Sequence, residues 1–264
     1  MEIFGFISAL FIGLSLGLIG GGGSILTVPV LTYLMGVNAK LATAYSLFVV
    51  GTSALVGAFK KSRQGLVDYK TGVIFAIPAL SSVYFTRAYV VPRIPEEIAQ
   101  FGDFVLTDDI AIMTFFALVM LLAAYSMIKG RKEGTEENEE ITYNYPLIII
   151  EGIIVGLVTG IIGAGGGFLI IPALVVLAKL PIKKAIGTSL MIISFKSLIG
   201  FIGDIQNPNF IIDWELLSIF TSIAVAGIFI GTYLTKFVTA SGLKKGFGYF
   251  IISMALVILY KELA

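Results

Sequence analysis

Eight long apolar segments, separated by short polar stretches, make up most of this chain of 264 residues. The segments cover residues 3–35, 39–59, 69–91, 109–128, 146–178, 185–203, 214–235 and 246–260. Because about 20 residues of helix cross a bilayer, segments of this kind can form membrane helices or helical hairpins. Only 13% of the residues are charged, whereas soluble domains carry about 25%. The sequence therefore predicts an all-α polytopic membrane protein.

The residue types that the chain lacks exclude several function classes. The chain contains no Cys and no His, so we expect no disulfide, no zinc or haem site, no other cofactor and no catalytic triad. No nucleophile or pair of carboxylates stands out within the apolar segments, so the sequence does not predict an enzyme. The net charge of +1 provides no long-range attraction for nucleic acid. The expected partners are the lipid bilayer and a small molecule.

A polar segment near the middle of the chain, residues 129–145, separates two stretches of similar sequence. When the chain is shifted by 143 residues, Gly13 to Gly57 aligns with Gly156 to Gly200 without a gap, and 17 of the 45 positions are identical. Internal duplication in an apolar chain is typical of transporters. We therefore expect a first repeat over residues 1–128, a cytoplasmic linker over 129–145 and a second repeat over 146–264.

The distribution of basic residues predicts how the repeats are oriented. The basic clusters are Lys60, Lys61, Arg63 and Lys70; Lys129, Arg131 and Lys132; Lys179, Lys183 and Lys184; and Lys236, Lys244 and Lys245. If every apolar segment crosses the membrane, these clusters divide almost equally between the two sides. If the segments 3–35 and 146–178 are instead re-entrant hairpins, all four clusters face the cytoplasm, as the positive-inside rule requires. We therefore predict inverted repeats, each with one hairpin and three transmembrane helices, and both termini outside.

Each repeat contains a run of glycines inside its first apolar segment. The runs are Gly20-Gly21-Gly22-Gly23-Ser24 and Gly163-Ala164-Gly165-Gly166-Gly167. Each helical Gly costs about 1 kcal/mol relative to Ala, so we expect the helices to break there. A helix that restarts near Ser24 or Gly167 has free N–H groups and a positive dipole end, both of which favour an anion. The predicted substrate-binding residues of the runs are Gly20, Gly22, Gly23, Ser24, Gly163, Gly165, Gly166 and Gly167.

An alternative interpretation of the glycines is close helix packing. We expect this role for the flanking pairs, Gly13 with Gly17 and Gly156 with Gly160. For the two runs themselves, both interpretations stay open.

These residues carry a family resemblance. The segment GIIGAGGGFLIIPALVVLAKLPIKKAIGTSLMIISFKSLIG, residues 160–200, and its weaker copy over residues 17–58 resemble the TauE/SafE sulfite-exporter family of bacterial inner-membrane permeases. The shared features are a glycine run, a proline and a following Gly-Thr-Ser segment, here Gly187 to Ser189. The resemblance implies proton-driven transport of small anions, chiefly sulfite, sulfoacetate and related organosulfur compounds, across the bacterial inner membrane.

Hydroxyl side chains follow each glycine run and provide further candidates for an anion site. They are Thr43, Tyr45 and Ser46 in the first half and Thr188 and Ser189 in the second. Hydroxyl groups can donate to an oxyanion. The alternative is that they only bond helix backbone, which is common in membrane helices.

Three charged residues lie inside the apolar segments, more than two residues from either end of the segment. Lys196 lies about 16 Å into its segment, near the bilayer centre, and aligns with Ser53 of the first repeat. A charge at that depth is costly and usually faces a transport pathway, so we predict that Lys196 attracts the anion, unless it snorkels or is neutral. We expect Arg87 to snorkel to the outer interface. Glu151 is a candidate proton carrier or an interfacial carboxylate.

Taken together, these features predict a secondary transporter of small anions that works by alternating access around a site at the midplane. The alternatives are a passive anion channel, which would use the same donors without proton coupling, and a transporter of a different small organic anion. The sequence does not indicate the oligomeric state.

Overall fold

The computed structural model describes residues 2–101, 104–129, 145–176, 178–206, 211–235 and 240–263. The helices are α1 (Glu2–Ile19), α2 (Thr27–Tyr33), α3 (Ala39–Arg63), α4 (Tyr69–Phe85), α5 (Asp108–Lys129), α6 (Tyr145–Ile162), α7 (Gly167–Val176), α8 (Ile182–Ile205), α9 (Trp214–Leu234) and α10 (Ala240–Leu263). Within these ranges, five helical segments are long and apolar enough to cross a membrane: α3, α4 with its extension to Arg93, α5, α8 and α9. The predicted all-α polytopic fold is confirmed.

The first glycine run ends α1 and reverses the chain. Gly21 has a φ of 141°, which a residue with a side chain rarely adopts. A 3-10 turn, Gly22–Leu26, then leads into α2. A Cβ atom on Gly23 would lie 2.7 Å from the Ile12 carbonyl oxygen of α1, and one on Gly5 would meet Met35. Helices α1 and α2 therefore form a hairpin that returns to the end where α1 begins.

The second glycine run has the same effect between α6 and α7. Residues 163–166 are not helical, and Gly166 has a φ of 74°. A Cβ atom on Gly166 would lie 2.6 Å from Thr159 and 3.4 Å from Val155, both on α6. The predicted helix breaks are thus present in both halves.

The glycines that flank the runs join the two halves. A Cβ atom on Gly17 would lie 2.6 Å from the Ile228 carbonyl oxygen of α9, and one on Gly156 would lie 2.6 Å from the Ala79 carbonyl oxygen of α4. Helix α1 runs parallel to α9, and α6 runs parallel to α4, since later residues meet later residues along both pairs. The close-packing interpretation of these flanking glycines agrees with the structure.

Helices α3 and α8 cross at the centre of the fold in opposite directions. Gly57 contacts Leu190, and Gly200 contacts Leu47, so the beginning of each helix lies near the end of the other. An inverted duplication would produce such a pairing, because an axis in the membrane plane reverses the direction of equivalent helices. The duplication itself, with its boundaries at 128 and 146, stays a prediction. Linker residues 130–144 lie outside the described part of the chain.

Polar contacts identify which loops share an end of the fold. At one end, the Asp68 N–H donates to Thr188 Oγ1 over 2.8 Å, and Lys61 interacts electrostatically with Lys183. At the other end, Tyr33 donates to Glu262, and Lys40 pairs with Asp108 at 2.7 Å. The basic residues at the end of α3 and the start of α8 therefore lie at the first end, whereas the beginning of α1 and the end of α10 lie at the second.

The connection between α4 and α5 contains a feature that the sequence analysis did not predict. A π-helical turn, Thr86–Val90, and a 3-10 turn, Val91–Arg93, extend α4. A small antiparallel hairpin follows, in which β1 (Glu97–Phe101) pairs with β2 (Phe104–Thr107). Ala99 lies opposite Leu106 and Gln100 opposite Val105, with an irregularity between Glu97 and Ala99. Strands of four or five residues are too short to leave a clear alternating pattern in the sequence.

The orientation is testable because the natural chain has no Cys. Gln206 and Gln64 are exposed at opposite ends of the fold. We expect a membrane-impermeant maleimide to label Gln206→Cys in intact cells, and to label Gln64→Cys only after the membrane is permeabilised, because the basic end faces the cytoplasm. The reverse labelling pattern would contradict the predicted orientation.

The packing of α6 on α4 predicts a specific loss of stability. Gly160→Leu would force a side chain into Thr86, which lies 2.7 Å from the Cβ position. We expect a destabilisation of about 1–3 kcal/mol, visible as a lower unfolding temperature in detergent. Gly246→Leu is the matched control, since a Cβ atom on this exposed helical glycine of α10 meets nothing within 4 Å. Equal unfolding temperatures for the two variants would contradict the proposed packing role.

Candidate functional site

The two glycine runs meet at the centre of the fold. A Cβ atom on Gly21 would lie 2.5 Å from the Gly167 Cα atom, so the two backbones are in direct contact. Gly165 packs against Val50 of α3 and Ile193 of α8, which lie near the middle of those two long helices. We call residues 20–24 and 163–167 the glycine junction. Because α3 and α8 cross here, the junction lies near the midplane of the expected membrane.

Free backbone donors point to a binding role for the second run. Helix α7 starts with hydrogen bonds from the Leu169 and Ile170 N–H groups to the Gly166 carbonyl oxygen, both 2.9 Å. Within the described part of the chain, the N–H groups of residues 165–167 donate no such bond. Lipid cannot satisfy free N–H groups, so such backbone occurs only where protein or a wet cavity surrounds it. The start of α7 can therefore donate to an anion.

The first run is held in place by hydrogen bonds within the first repeat and by one hydrogen bond from α8. Ser24 donates through both its N–H group and its Oγ atom to the Gly21 carbonyl oxygen. The Ser189 Oγ atom lies 2.8 Å from the Gly20 carbonyl oxygen. Gly22 opens the 3-10 turn, and Gly23 packs against α1. These contacts fix the first run against the second.

Lys196 lies beside the junction and has no access to solvent. Its side chain is 0% exposed, and its Nζ atom donates to Thr159 Oγ1 over 2.6 Å. Thr159 donates in turn to the Val155 carbonyl oxygen over 2.6 Å. A Cβ atom on Gly166 would lie 3.3 Å from Nζ. The ammonium group therefore does not snorkel to the interface, but lies next to the free donors of the second run.

The predicted hydroxyl residues divide into two groups. Ser46 is fully buried, and its Oγ atom has no hydrogen-bond partner among the described residues. Thr43 contacts Gly163, and its Oγ1 atom donates to the Lys40 carbonyl oxygen over 2.7 Å. Ser46 lies between Thr43 and Val50 along α3 and so shares the helix face that contacts Gly163 and Gly165. Ser189 bonds to Gly20 of the first run. Whether they bind an anion stays a prediction.

Tyr45 and Thr188 form the second group, because their hydroxyl groups bind backbone at opposite ends of the fold. Tyr45 Oη accepts from the Asp213 N–H over 2.6 Å, whereas Thr188 Oγ1 accepts from the Asp68 N–H over 2.8 Å. Asp213 and Asp68 cap the N-termini of α9 and α4. The Tyr45 hydroxyl therefore ties α3 to the start of α9, and the Thr188 hydroxyl ties α8 to the start of α4. The structure does not bring these two hydroxyl groups together at the junction.

Arg87 corrects one expectation of the sequence analysis. Its side chain is 0% exposed and does not snorkel to the interface. The Nη1 atom lies 3.0 Å from Thr43 Oγ1 and 3.4 Å from Asp204 Oδ1. The π-helical turn that carries Arg87 directs the side chain inwards, where Asp204 neutralises its charge. Asp204 was not a candidate in the sequence analysis, because it lies just beyond the apolar segment 185–203.

A lateral groove lies along α6 and α7 on the linker side of Lys196. Its volume is about 370 Å³, and it is lined by Leu147, Ile150, Glu151, Ile154, Val155 and Leu169. Glu151 Oε2 has no hydrogen-bond partner among the described residues. Glu151, Val155 and Thr159 are spaced four residues apart and so share one face of α6. The groove therefore lies on the same helix face as the partner of Lys196.

The described residues contain no group of His, Cys, Asp or Glu that could hold a metal ion. The junction instead offers backbone N–H groups, hydroxyl groups and one ammonium group. Donors of this type fit a small anion.

Comparisons with known proteins agree with this architecture. The family model described as sulfite exporter TauE/SafE matches residues 5–258. A "Probable membrane transporter protein" of Xylella fastidiosa is 28% identical over 258 residues, which cover 96% of this chain and 93% of the relative. The "Probable membrane transporter protein YdhB" of Bacillus subtilis is 26% identical over 234 residues, covering 89% and 90%.

A third relative matches a smaller part of the chain. A probable membrane transporter protein of Methanocaldococcus jannaschii is 29% identical over 196 residues, covering 72% of this chain and 67% of the relative. No solved structure matches the chain significantly. The family model covers nearly the whole chain, and the apolar helices have the length that a membrane requires. The chain therefore belongs to the sulfite exporter TauE/SafE family and is a multi-pass membrane transporter.

Proposed function

We propose that the chain is a secondary transporter of small oxyanions of the sulfite or organosulfonate type, coupled to protons and working by alternating access. The observation that carries the proposal is the contact of both glycine runs with each other beside the fully buried Lys196. The description of the family as a sulfite exporter supports this substrate class.

The chemistry of the junction supports an oxyanion as the substrate. The N–H groups of residues 165–167 have no described partner, and they lie at the positive end of the α7 dipole. Glycine has no side chain, so an anion can approach these N–H groups closely. The Lys196 ammonium group supplies the positive charge within the same region. In the bilayer core, where no water competes, these donors interact strongly with an anion.

The proposed binding residues keep the set expected from the sequence. The glycine junction would provide backbone donors, the hydroxyl groups nearby would donate to oxyanion oxygens, and Lys196 would provide the charge. The set is Gly20, Gly22, Gly23, Ser24, Thr43, Tyr45, Ser46, Gly163, Gly165, Gly166, Gly167, Thr188, Ser189 and Lys196. Within this set, the hydroxyl groups of Tyr45 and Thr188 accept from the backbone N–H groups that begin α9 and α4, which suits a structural role.

Alternating access is supported by how the halves pack. Helix α1 of the first hairpin packs against α9 of the second half, and α6 packs against α4 of the first half. An inverted duplication would give two conformations of similar energy, in which the halves exchange roles around the central site. Lys196 and Ser46 are both fully buried, so the conformation described here corresponds to an occluded state.

The first test is the uptake of labelled sulfite and sulfoacetate into proteoliposomes under an imposed proton gradient. A hydrogen bond to a charged group contributes roughly 1.5–3 kcal/mol, so we expect Lys196→Met to raise KM at least about tenfold. Lys60→Met is the matched control, since Lys60 belongs to a basic cluster at the end of the fold. An unchanged KM for Lys196→Met would contradict the proposed role of this residue.

The same assay separates the other function classes. A transporter accumulates the anion against its concentration gradient when protons drive it, whereas a channel only equalises concentrations. Equalisation without accumulation would favour a passive anion channel. Uptake of a carboxylate in place of sulfite and sulfoacetate would favour a different small organic anion.

A second prediction concerns the backbone of the junction. Gly166→Ala would strain a left-handed residue and place a methyl group 3.3 Å from Lys196 Nζ and 2.6 Å from Thr159. We expect transport to fall at least about tenfold, because a small displacement of binding groups has a large effect on rate. Gly65→Ala is the matched control, since Gly65 has a similar φ of 69° and nothing within 4 Å of the Cβ position. Equal transport by both variants would contradict the proposed role of Gly166 at the junction.

A further inference from the structure

Arg87 presents an unused pair of donors inside the fold. A guanidinium group has five N–H donors in a planar arrangement, and the described contacts engage only Nη1, with Thr43 and Asp204. Nε and Nη2 have no hydrogen-bond partner among the described residues. These two atoms form the edge of the guanidinium group that binds two oxygens of one oxyanion side by side. The side chain is 0% exposed, so water does not explain the free donors.

The Asp204 carboxylate is also incompletely bonded. Oδ1 lies 3.4 Å from Arg87 Nη1, which is longer than a strong charge-assisted hydrogen bond. Oδ2 has no hydrogen-bond partner among the described residues, although Asp204 is only 1% exposed. A buried ion pair with unsatisfied atoms on both partners contributes little stability. The burial of this incompletely bonded pair is therefore better explained by a role in function than by a contribution to stability.

The position of the pair connects it to the proposed anion site. Arg87 contacts Thr43, and Thr43 contacts Gly163 of the second glycine run. The π-helical turn that carries Arg87 packs against α6 through Thr86 and Gly160. Turns of this type frequently occur at functional sites. Lys196 of α8 lies beside Gly166, so both buried basic residues flank the same glycine run.

The other charged and titratable groups on the packed elements are engaged elsewhere or distant. Lys40 of α3 pairs with Asp108, Arg93 donates to the Tyr89 carbonyl oxygen, and Tyr84 donates to Gln206. Glu151 of α6 lies nine residues before Gly160 and lines the lateral groove. Among the described residues, Asp204 is thus the carboxylate that faces Arg87.

We infer that Arg87 and Asp204 form a second oxyanion site in which Asp204 carries the coupled proton. With Asp204 ionised, the pair has no net charge and attracts no anion. A proton bound to Oδ2 leaves the guanidinium charge uncompensated, and the Nε and Nη2 edge then binds two oxygens of the substrate. One proton and one substrate anion enter together, and loss of the proton from Asp204 on the other side weakens binding of the anion there. This inference rests on the proposed transport of oxyanions and names the group that couples it to protons.

The test measures KM for labelled sulfoacetate in proteoliposomes between about pH 6 and pH 8. Sulfoacetate is suitable because its charge stays constant in this range, as carboxyl groups titrate near pH 4. For the wild type, KM is expected to rise up to about tenfold per pH unit where Asp204 loses its proton. Asp204→Asn mimics the protonated residue, so its KM is expected to be low and independent of pH. A pH-sensitive dye should report anion uptake without proton uptake in this variant.

Two further variants complete the design. Asp204→Glu keeps a titratable carboxylate and is expected to keep the pH dependence. Glu215→Gln removes an exposed carboxylate from the first turn of α9 and is expected to behave like the wild type. Unfolding temperatures in detergent establish that each variant is folded.

The inference and the proposed function fail in different ways. A wild type that transports none of the oxyanions overturns both. A wild type that transports them with a KM independent of pH overturns the inference alone. The inference is also overturned if folded Asp204→Asn keeps the wild-type pH dependence or loses transport at every pH. If Asp204→Asn does not fold, a KM of Asp204→Glu that is independent of pH overturns the inference.

Discussion

The bilayer core contains no water that could bond to backbone, and the architecture of this protein follows from that constraint. A helix satisfies its own N–H groups, but the two glycine runs interrupt helices in the middle of the fold. The interruptions are acceptable because they lie against each other and between α3 and α8, away from lipid. The hairpins, the central crossing and the burial of the junction can all be understood as ways to enclose this broken backbone.

The surroundings of the two runs differ in charge although the runs resemble each other in sequence. Lys196 lies beside Gly166, and Arg87 reaches Gly163 through Thr43. In the predicted repeat register, Lys196 corresponds to Ser53. The first repeat therefore has a neutral hydroxyl residue where the second has Lys196.

Much of this fold could be predicted from the sequence, because apolar length and glycine runs act locally. The helix breaks at Gly21 and Gly166 follow from helix propensity, and the packing of Gly17 and Gly156 follows from the small-residue spacing. The side-chain network could not be predicted in this way. Arg87 lies near the end of its apolar segment, which suggested snorkelling, but a π-helical turn directs it to Asp204 on a helix more than 100 residues away. Such a contact depends on tertiary packing, which local patterns do not encode.

The contacts of the candidate hydroxyl residues could not be predicted from local sequence patterns either. Thr188 and Ser189 are neighbours in the sequence, yet Ser189 bonds to the glycine junction and Thr188 bonds to the start of α4. Neighbouring helix positions point in directions about 100° apart, so a motif of adjacent hydroxyl residues does not form a single site. Thr159, the partner of Lys196, was missed because a Thr in an apolar segment has no distinctive pattern.

The central claim is that the glycine junction is the anion site, and substrate protection at Ser46 tests it most directly. Ser46→Cys introduces the chain's one thiol, fully buried on the face of α3 that meets the junction, and its rate of reaction with a maleimide reports how often the site opens. Sulfoacetate is the suitable ligand, because sulfite itself reacts with maleimides. The account predicts that sulfoacetate slows labelling of Ser46→Cys and leaves labelling of the exposed Gln64→Cys unchanged. Labelling of Ser46→Cys at the same rate with and without saturating sulfoacetate would contradict it.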